Sequence, residues 1–253
     1  MMANHNGRYA NGWLVKPKPN PQAALRLFCF PYSGAGASVY YKWAELLPAT
    51  LEVCAVQLPG RETRLTEPLF EHIDPLIARL AEALLPMLKP PFAFFGHSMG
   101  ALISYELSRY LQHRHNIQPQ RLLVSGHGAP QISEREPPIH NLPEPEFVAR
   151  LRELDGTPEA VLEHAELRAL LLPILRADFA ICETYAHAPG DLLDCPISAF
   201  SGLQDRYVTR ENLQAWQKLT HGPLSVRMFP GGHFYLNQNQ ALLLRAIAQD
   251  LLA

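Results

Sequence analysis

The sequence lacks what would place it in a membrane, on nucleic acid or in a disulfide framework. No apolar run is long enough to span a bilayer. The opening stretch, MMANHNGRYANGW, has no apolar segment of the kind a secretory signal needs. Charge is nearly balanced, 22 Lys and Arg against 24 Asp and Glu, so no excess of one sign points to nucleic acid or anionic lipid. Cysteine is scarce: Cys29, Cys54, Cys182 and Cys195 are widely spaced and form no C-x-x-C pair. That usage predicts reduced, mostly buried thiols in a cytoplasmic protein. No metal site is predicted, because His113 and His115 have no further ligands at suitable spacing. No internal repeat or low-complexity tract interrupts the chain.

What the chain does have is apolar content, 47% of 253 residues, enough for one sizeable α/β core. Residues 1–24 are polar and carry Pro17, Pro19 and Pro21, which predicts a loosely held N-terminal arm before a domain at 25–253. Short apolar strands are predicted at 26–31, 51–58, 92–95, 121–125, 196–201 and 224–229. Helices are predicted at 39–47, 72–88, 99–114, 209–219 and 236–252. Alternating strands and helices imply a mostly parallel sheet flanked by helices, with working groups gathered beyond the strand carboxyl ends. From about 130 to 190 the alternation stops. Pro137, Pro138, Pro143 and Pro145 separate helices predicted at 144–154, 158–164 and 166–187, which reads as a helical lid inserted into the domain. The apolar face of 166–187 (Leu167, Leu170, Leu171, Ile174, Leu175, Phe179) fits either core packing or the wall of an acyl pocket.

The chain is organised around FAFFGHSMGALISY at 92–105. A buried strand, G-x-S-x-G and an apolar-periodic helix follow one another, the setting in which that pattern makes an exposed nucleophile. So sharp a turn crowds the backbone, and Gly96 and Gly100 make room by having no Cβ. The helix after Ser98 points its first N–H groups, starting at Met99, where an oxyanion would form.

A serine hydroxyl needs a base, and the base an orienting carboxylate. In the matching chain order, Asp205 follows the strand at 196–201 and His233 the strand at 224–229. Asp191, Asp194 and His221 precede strands and belong at the opposite edge. His127 follows a strand but comes before any candidate acid, and no carboxylate occurs near that strand end before Glu134. The small-residue loop 32–38 after the first long strand offers the second oxyanion N–H, with Ser33 the first choice and Gly34 the next. In QLPGRETR at 57–64, Arg61 and Arg64 fit two roles: meeting a phosphate, or pairing with Glu62 and Glu67.

Five segments together resemble the type II thioesterases, the stand-alone editing enzymes of nonribosomal peptide and polyketide assembly lines. They are FCFPYSGAGAS (28–38), QLPGRETR (57–64), FFGHSMGA (94–101), GLQD (202–205) and GGHF (231–234). The resemblance runs over nearly the whole chain after residue 25, and the Leu-Pro-Gly-Arg-Glu segment is its most discriminating piece. It departs at 32–35, where the family usually has His-Ala-Gly-Gly and this chain has Tyr-Ser-Gly-Ala. The resemblance implies an α/β-hydrolase fold with a helical lid. It implies that Ser98 attacks an acyl thioester on the phosphopantetheine arm of a carrier domain, with His233 as base, Asp205 as its orienter, and the N–H groups of Met99 and Ser33 on the oxyanion. It assigns Arg61 and Gln57 to contacts with substrate or carrier. It calls for no metal and no dissociable cofactor, a carrier domain as partner, and a monomer. Two alternatives use the same residues: a small-molecule carboxylesterase or lipase, against which QLPGRE and the lid composition argue, and a non-catalytic carrier-binding protein, against which the intact triad argues.

Overall fold

Six of the strands pair in parallel to make the body of one sheet. They are β3 (Leu25–Phe30), β4 (Leu51–Val56), β5 (Phe92–His97), β6 (Leu122–Ser125), β7 (Ile197–Gly202) and β8 (Leu224–Phe229). Two short antiparallel strands, β1 (Tyr9–Ala10) and β2 (Leu14–Val15), extend it to the order β1-β2-β4-β3-β5-β6-β7-β8. The computed structural model describes residues 9–89, 91–132 and 137–252. Pro90, Glu134 and the first eight residues of the expected arm lie outside the described residues.

The central strands are covered on both faces, and so they read as near-continuous apolar runs rather than as alternating ones. Phe28, Phe30, Phe92 and Phe94 belong to one core layer, and Leu27, Cys29, Ala93 and Phe95 to the other. The helices are α1 (Trp43–Leu46), α2 (Ile73–Leu84), α3 (Met99–His115), α4 (Glu144–Leu154), α5 (Glu159–Glu163), α6 (Ala165–Thr184), α7 (Arg210–Gln214), α8 (Tyr235–Gln238) and α9 (Gln240–Leu252). The first layer is closed by Leu76 and Leu80 of α2 and Leu102 of α3. The second is closed by Trp43 of α1 and Leu243, Leu244 and Ile247 of α9. Between β6 and β7, helices α4 to α6 gather a separate cluster that includes Phe147, Leu151, Leu162, Leu172 and Leu175. No helix among the described residues is long and apolar enough to cross a membrane.

Three expectations change. Residues 9–15 are not a loose arm: Leu14 and Val15 are buried and pair with Val56 and Ala55 of β4, and the Gln57 N–H donates to the Trp13 carbonyl at 2.8 Å. The helix expected at 39–47 is a 3-10 turn at Ala37–Tyr40 followed by the short α1. The terminal helix is interrupted at Asn239, where the backbone leaves helical geometry between α8 and α9.

Candidate active site

The β5–α3 turn holds Ser98 at φ 53°, ψ −120°, a backbone conformation that a non-glycine residue adopts only at a cost of about 1–3 kcal/mol. The surroundings fix it there. The Ser98 N–H donates to the Ser125 carbonyl of β6 at 2.7 Å, and its own carbonyl accepts the N–H of Ala101 at 2.9 Å. A Cβ on Gly96 would run into the Gly100 carbonyl, and one on Gly100 into the Phe30 carbonyl of β3. The two glycines therefore let strand, turn and helix approach each other, as the sequence implied.

Asp205 follows β7 and His233 follows β8, and the fold brings them together. His233 Nδ1 donates to Asp205 Oδ2 at 2.9 Å, which leaves Nε2 as the basic atom of the neutral ring. The Asp205 side chain is fully buried. Burial pushes its carboxyl up, but the His233 hydrogen bond and charge, the Tyr207 N–H on Oδ1 (2.9 Å) and the Ser201 hydroxyl on Oδ2 (3.0 Å) outweigh burial and hold it below the ordinary carboxylate value. The His233 ring is packed edge-on by Phe234 and Tyr207.

Ser98 and His233 open onto one cavity of about 840 Å³, with Ser33 and Met99 in the same wall. No hydrogen bond joins the Ser98 and His233 side chains in this conformation. The N–H groups of Ser33 and Met99 donate to no acceptor among the described residues. Gly34, the second choice for an oxyanion donor, is engaged elsewhere: its N–H donates to Asp178 Oδ2 of α6 at 2.7 Å. Much of the wall is apolar, with Leu102 and Ile132 on one side and Leu151, Leu175 and Phe179 from the α4–α6 segment on the other.

Arg61 and Gln57 do not line this cavity, and their expected contacts with substrate or carrier are corrected. Both are buried and engaged inside the protein. Arg61 binds Asp178 through Nη1 (2.6 Å) and Nη2 (2.8 Å), and also donates to the carbonyls of Pro59 and Ala35. Gln57 accepts the Ala37 N–H and donates to the carbonyls of Leu58 and Arg61. A buried guanidinium needs a carboxylate, and Asp178 supplies one from across the fold. Arg64 pairs with Glu67, as one of its two readings had it, and lies over the Trp13 ring at 3.9 Å.

Sequence reasoning missed Asp178 and the environment of His97. A carboxylate set among Ile174, Leu175, Ala177 and Ile181 was a signal for a buried, partnered acid. His97 is fully buried; its Nδ1 meets Ser125 Oγ at 2.9 Å, Ser125 Oγ meets the Tyr235 hydroxyl at 2.7 Å, and its Nε2 has no partner. Its ring lies 5.0 Å from that of His233 and takes the edge of Tyr32 on another side.

The model of the thioesterase domain family matches residues 25–251. The chain belongs to the thioesterase family. It is 44% identical over 241 residues to the gramicidin S biosynthesis protein GrsT of Aneurinibacillus migulanus, which covers 95% of this chain and 94% of that protein. It is 37% identical over 241 residues to the thioesterase PikA5 of Streptomyces venezuelae, covering 95% of this thioesterase and 85% of the relative. Among solved structures, the type II thioesterase BorB from the borrelidin biosynthetic cluster superimposes with a TM-score of 0.87 at 39% identity, over 95% of this chain and 98% of that one. The mostly parallel sheet of this thioesterase is the α/β-hydrolase fold of these neighbours.

Proposed function

We propose that the protein hydrolyses acyl and aminoacyl thioesters carried on the phosphopantetheine arm of carrier domains, and so clears stalled or aberrant groups during nonribosomal peptide or polyketide synthesis. The observation that carries the reading is the 2.9 Å His233–Asp205 hydrogen bond facing the same cavity as a serine on a strained turn. Relatives in gramicidin S and borrelidin biosynthesis support the setting.

In this reading His233 Nε2 takes the Ser98 proton as Oγ attacks the thioester carbonyl carbon. The C–S bond breaks, the pantetheine sulfur leaves with that proton, and the acyl group stays on Ser98. Water then attacks the ester with His233 again as base, releasing the acid and restoring the hydroxyl. Asp205 holds the ring so that Nε2 faces the serine and stabilises the imidazolium formed on the way. The N–H groups of Met99 and Ser33 take the oxyanion, each worth about 3 kcal/mol of transition-state stabilisation. The α4–α6 segment acts as the lid over the acyl chamber, and the carrier domain is the partner. No metal or dissociable cofactor takes part.

The test is release of acid from an acylated carrier protein by the wild type and by Ser98→Ala, paired with fluorophosphonate labelling and peptide mapping. The reading expects loss of turnover in the variant and a label on Ser98. Equal release by both proteins, or a label elsewhere, would overturn it.

A further inference from the structure

The wall of the chamber nearest His233 carries a polar pair that the hydrolytic chemistry does not use. It begins at the end of β6. Gly126 (φ 59°) packs under the His97 and His233 rings so closely that a Cβ there would lie 2.5 Å from His97 Cε1 and 3.2 Å from His233 Cε1. The next residue is His127, which lines the cavity. Its tautomer is fixed. His127 Nδ1 lies 2.6 Å from the Gly128 carbonyl oxygen, which only accepts, so Nδ1 carries the proton. Burial pushes the ring down, the Gly128 hydrogen bond offsets this in part, and the His233 charge adds to it; the ring is therefore neutral near pH 7 and Nε2 is a bare acceptor. Among the described residues, the only side-chain nitrogen or oxygen atoms sealed from solvent without a partner are His97 Nε2 and Gln131 Oε1. His127 Nε2, which meets no donor among the described residues, is therefore not sealed off, and the residue lines the chamber.

Asn212 supplies the complement. Its Oδ1 accepts the Thr209 N–H at 2.9 Å in the capping box that starts α7, so the amide orientation is fixed and Nδ2 is the free end. Asn212 lines the same cavity. It sits against the His127 segment, with its carbonyl accepting the Ala129 N–H at 3.1 Å and its Cβ packed on Gly128. A residue with an acceptor and a residue with a donor thus line the chamber from adjoining segments, in a stretch of wall that also carries Leu102, Ala129 and Ile132.

We propose that His127 and Asn212 form a subsite for a hydroxyl group close to the thioester carbonyl of the acyl chain. A hydroxyl both donates and accepts, so it satisfies Nε2 and Nδ2 together. An ammonium group fits less well. Among the described residues, the one carboxylate that lines the chamber, Glu183, is taken up by the N–H groups of Ile139 and His140 and by His140 Nδ1, while Arg206 adds positive charge. A plain hydrocarbon fits worst at this spot, because it strips water from both polar atoms and replaces neither contact. The assignment rests on the thioester-hydrolase reading of Ser98, and binding to an inert variant separates the two.

The experiment uses octanoyl, 3-hydroxyoctanoyl and 3-aminooctanoyl thioesters of N-acetylcysteamine. Equilibrium binding is measured on Ser98→Ala, and kcat/KM on the wild type, His127→Phe and Asn212→Asp. Preference for 3-hydroxyoctanoyl over octanoyl should be about tenfold or more in both readouts. It should fall toward one in His127→Phe through loss on the hydroxy substrate, and Asn212→Asp should shift preference toward the amino substrate. Tenfold tighter binding without turnover would keep the subsite and reject the hydrolase reading. Equal binding of the hydroxy and plain chains, or a loss in His127→Phe shared by all three chains, would overturn the subsite; the shared loss would place the pair on the common pantetheine-like arm.

Discussion

Arg61 and Asp178, 117 residues apart, meet in the protein interior through two hydrogen bonds of 2.6 and 2.8 Å. Asp178 also holds the Gly34 N–H, and Arg61 the Ala35 carbonyl, so this one pair ties α6, the loop after β4 and the loop that carries Ser33. Removing one charge leaves the other buried and unpaired, at a cost of about 3–5 kcal/mol. Arg61→Met and Asp178→Leu should each lower the unfolding free energy by about that amount in urea titrations. The double variant should recover most of the loss, because an apolar pair of similar volume replaces both ions. Additive losses would show that the two residues act separately.

Asp205→Asn tests what the carboxylate does. The amide keeps the shape and the contact to Tyr207 N–H, but it favours the imidazole tautomer that carries its proton on the nitrogen facing Ser98. The expected result is a drop in kcat of about 10⁴-fold with near-native unfolding, measured on a thioester substrate. A drop of less than tenfold would mean that His233 keeps its tautomer without the carboxylate.

His97 makes stability depend on pH. Burial pushes it well below the usual histidine range, with the neighbouring His233 and His127 adding to the shift, so it is neutral in the fold. The unfolded chain takes up a proton near pH 6.5, and the native state does so only at lower pH. The stability His97 contributes is therefore complete above about pH 6.5 and is lost as pH falls toward its depressed native value. His127 is lowered as well and adds to the same slope. Asp205, lowered too, contributes only further down, below the ordinary aspartate value of 3.8. In urea titrations, His97→Phe should reduce the slope between pH 6.5 and 5 by about one proton, or ~1.4 kcal/mol per pH unit.

Much of this was legible because local rules and global fold agreed. Gly96 and Gly100 around Ser98 announce a crowded turn, and Asp205 and His233 each come just after an apolar run, where a parallel sheet gathers its working residues. The β1–β2 hairpin carried a readable signal in Asn11-Gly12, both at positive φ in the structure (49° and 75°), but two-residue strands in a polar stretch are too short for periodicity to register. The roles of Arg61 and Gln57 were not legible. Charge and position in the sequence do not separate an arginine that reaches for a ligand from one that meets a carboxylate 117 residues later. The break at Asn239 was hidden for a related reason, since the apolar pattern of 236–252 continues across it.

The 166–187 face divides: Leu167 and Leu170 are exposed and fit neither core nor wall, and among the rest one residue tests the wall reading. Leu172 and Leu175 are packed in the α4–α6 cluster, while Leu175, Phe179 and Cys182 also face the chamber. Phe179 is half-buried, with its ring edge-to-face on Phe147 at 6.0 Å, so it is part wall and part support. Phe179→Ala should deepen the chamber and raise kcat/KM for dodecanoyl relative to hexanoyl thioesters by about tenfold, since each buried methylene is worth ~0.8 kcal/mol where room exists for it. Phe179→Trp should fill the same space and move the preference the other way. A chain-length profile unchanged in both variants, read on the same thioester series, would remove α6 from the wall that the acyl group meets.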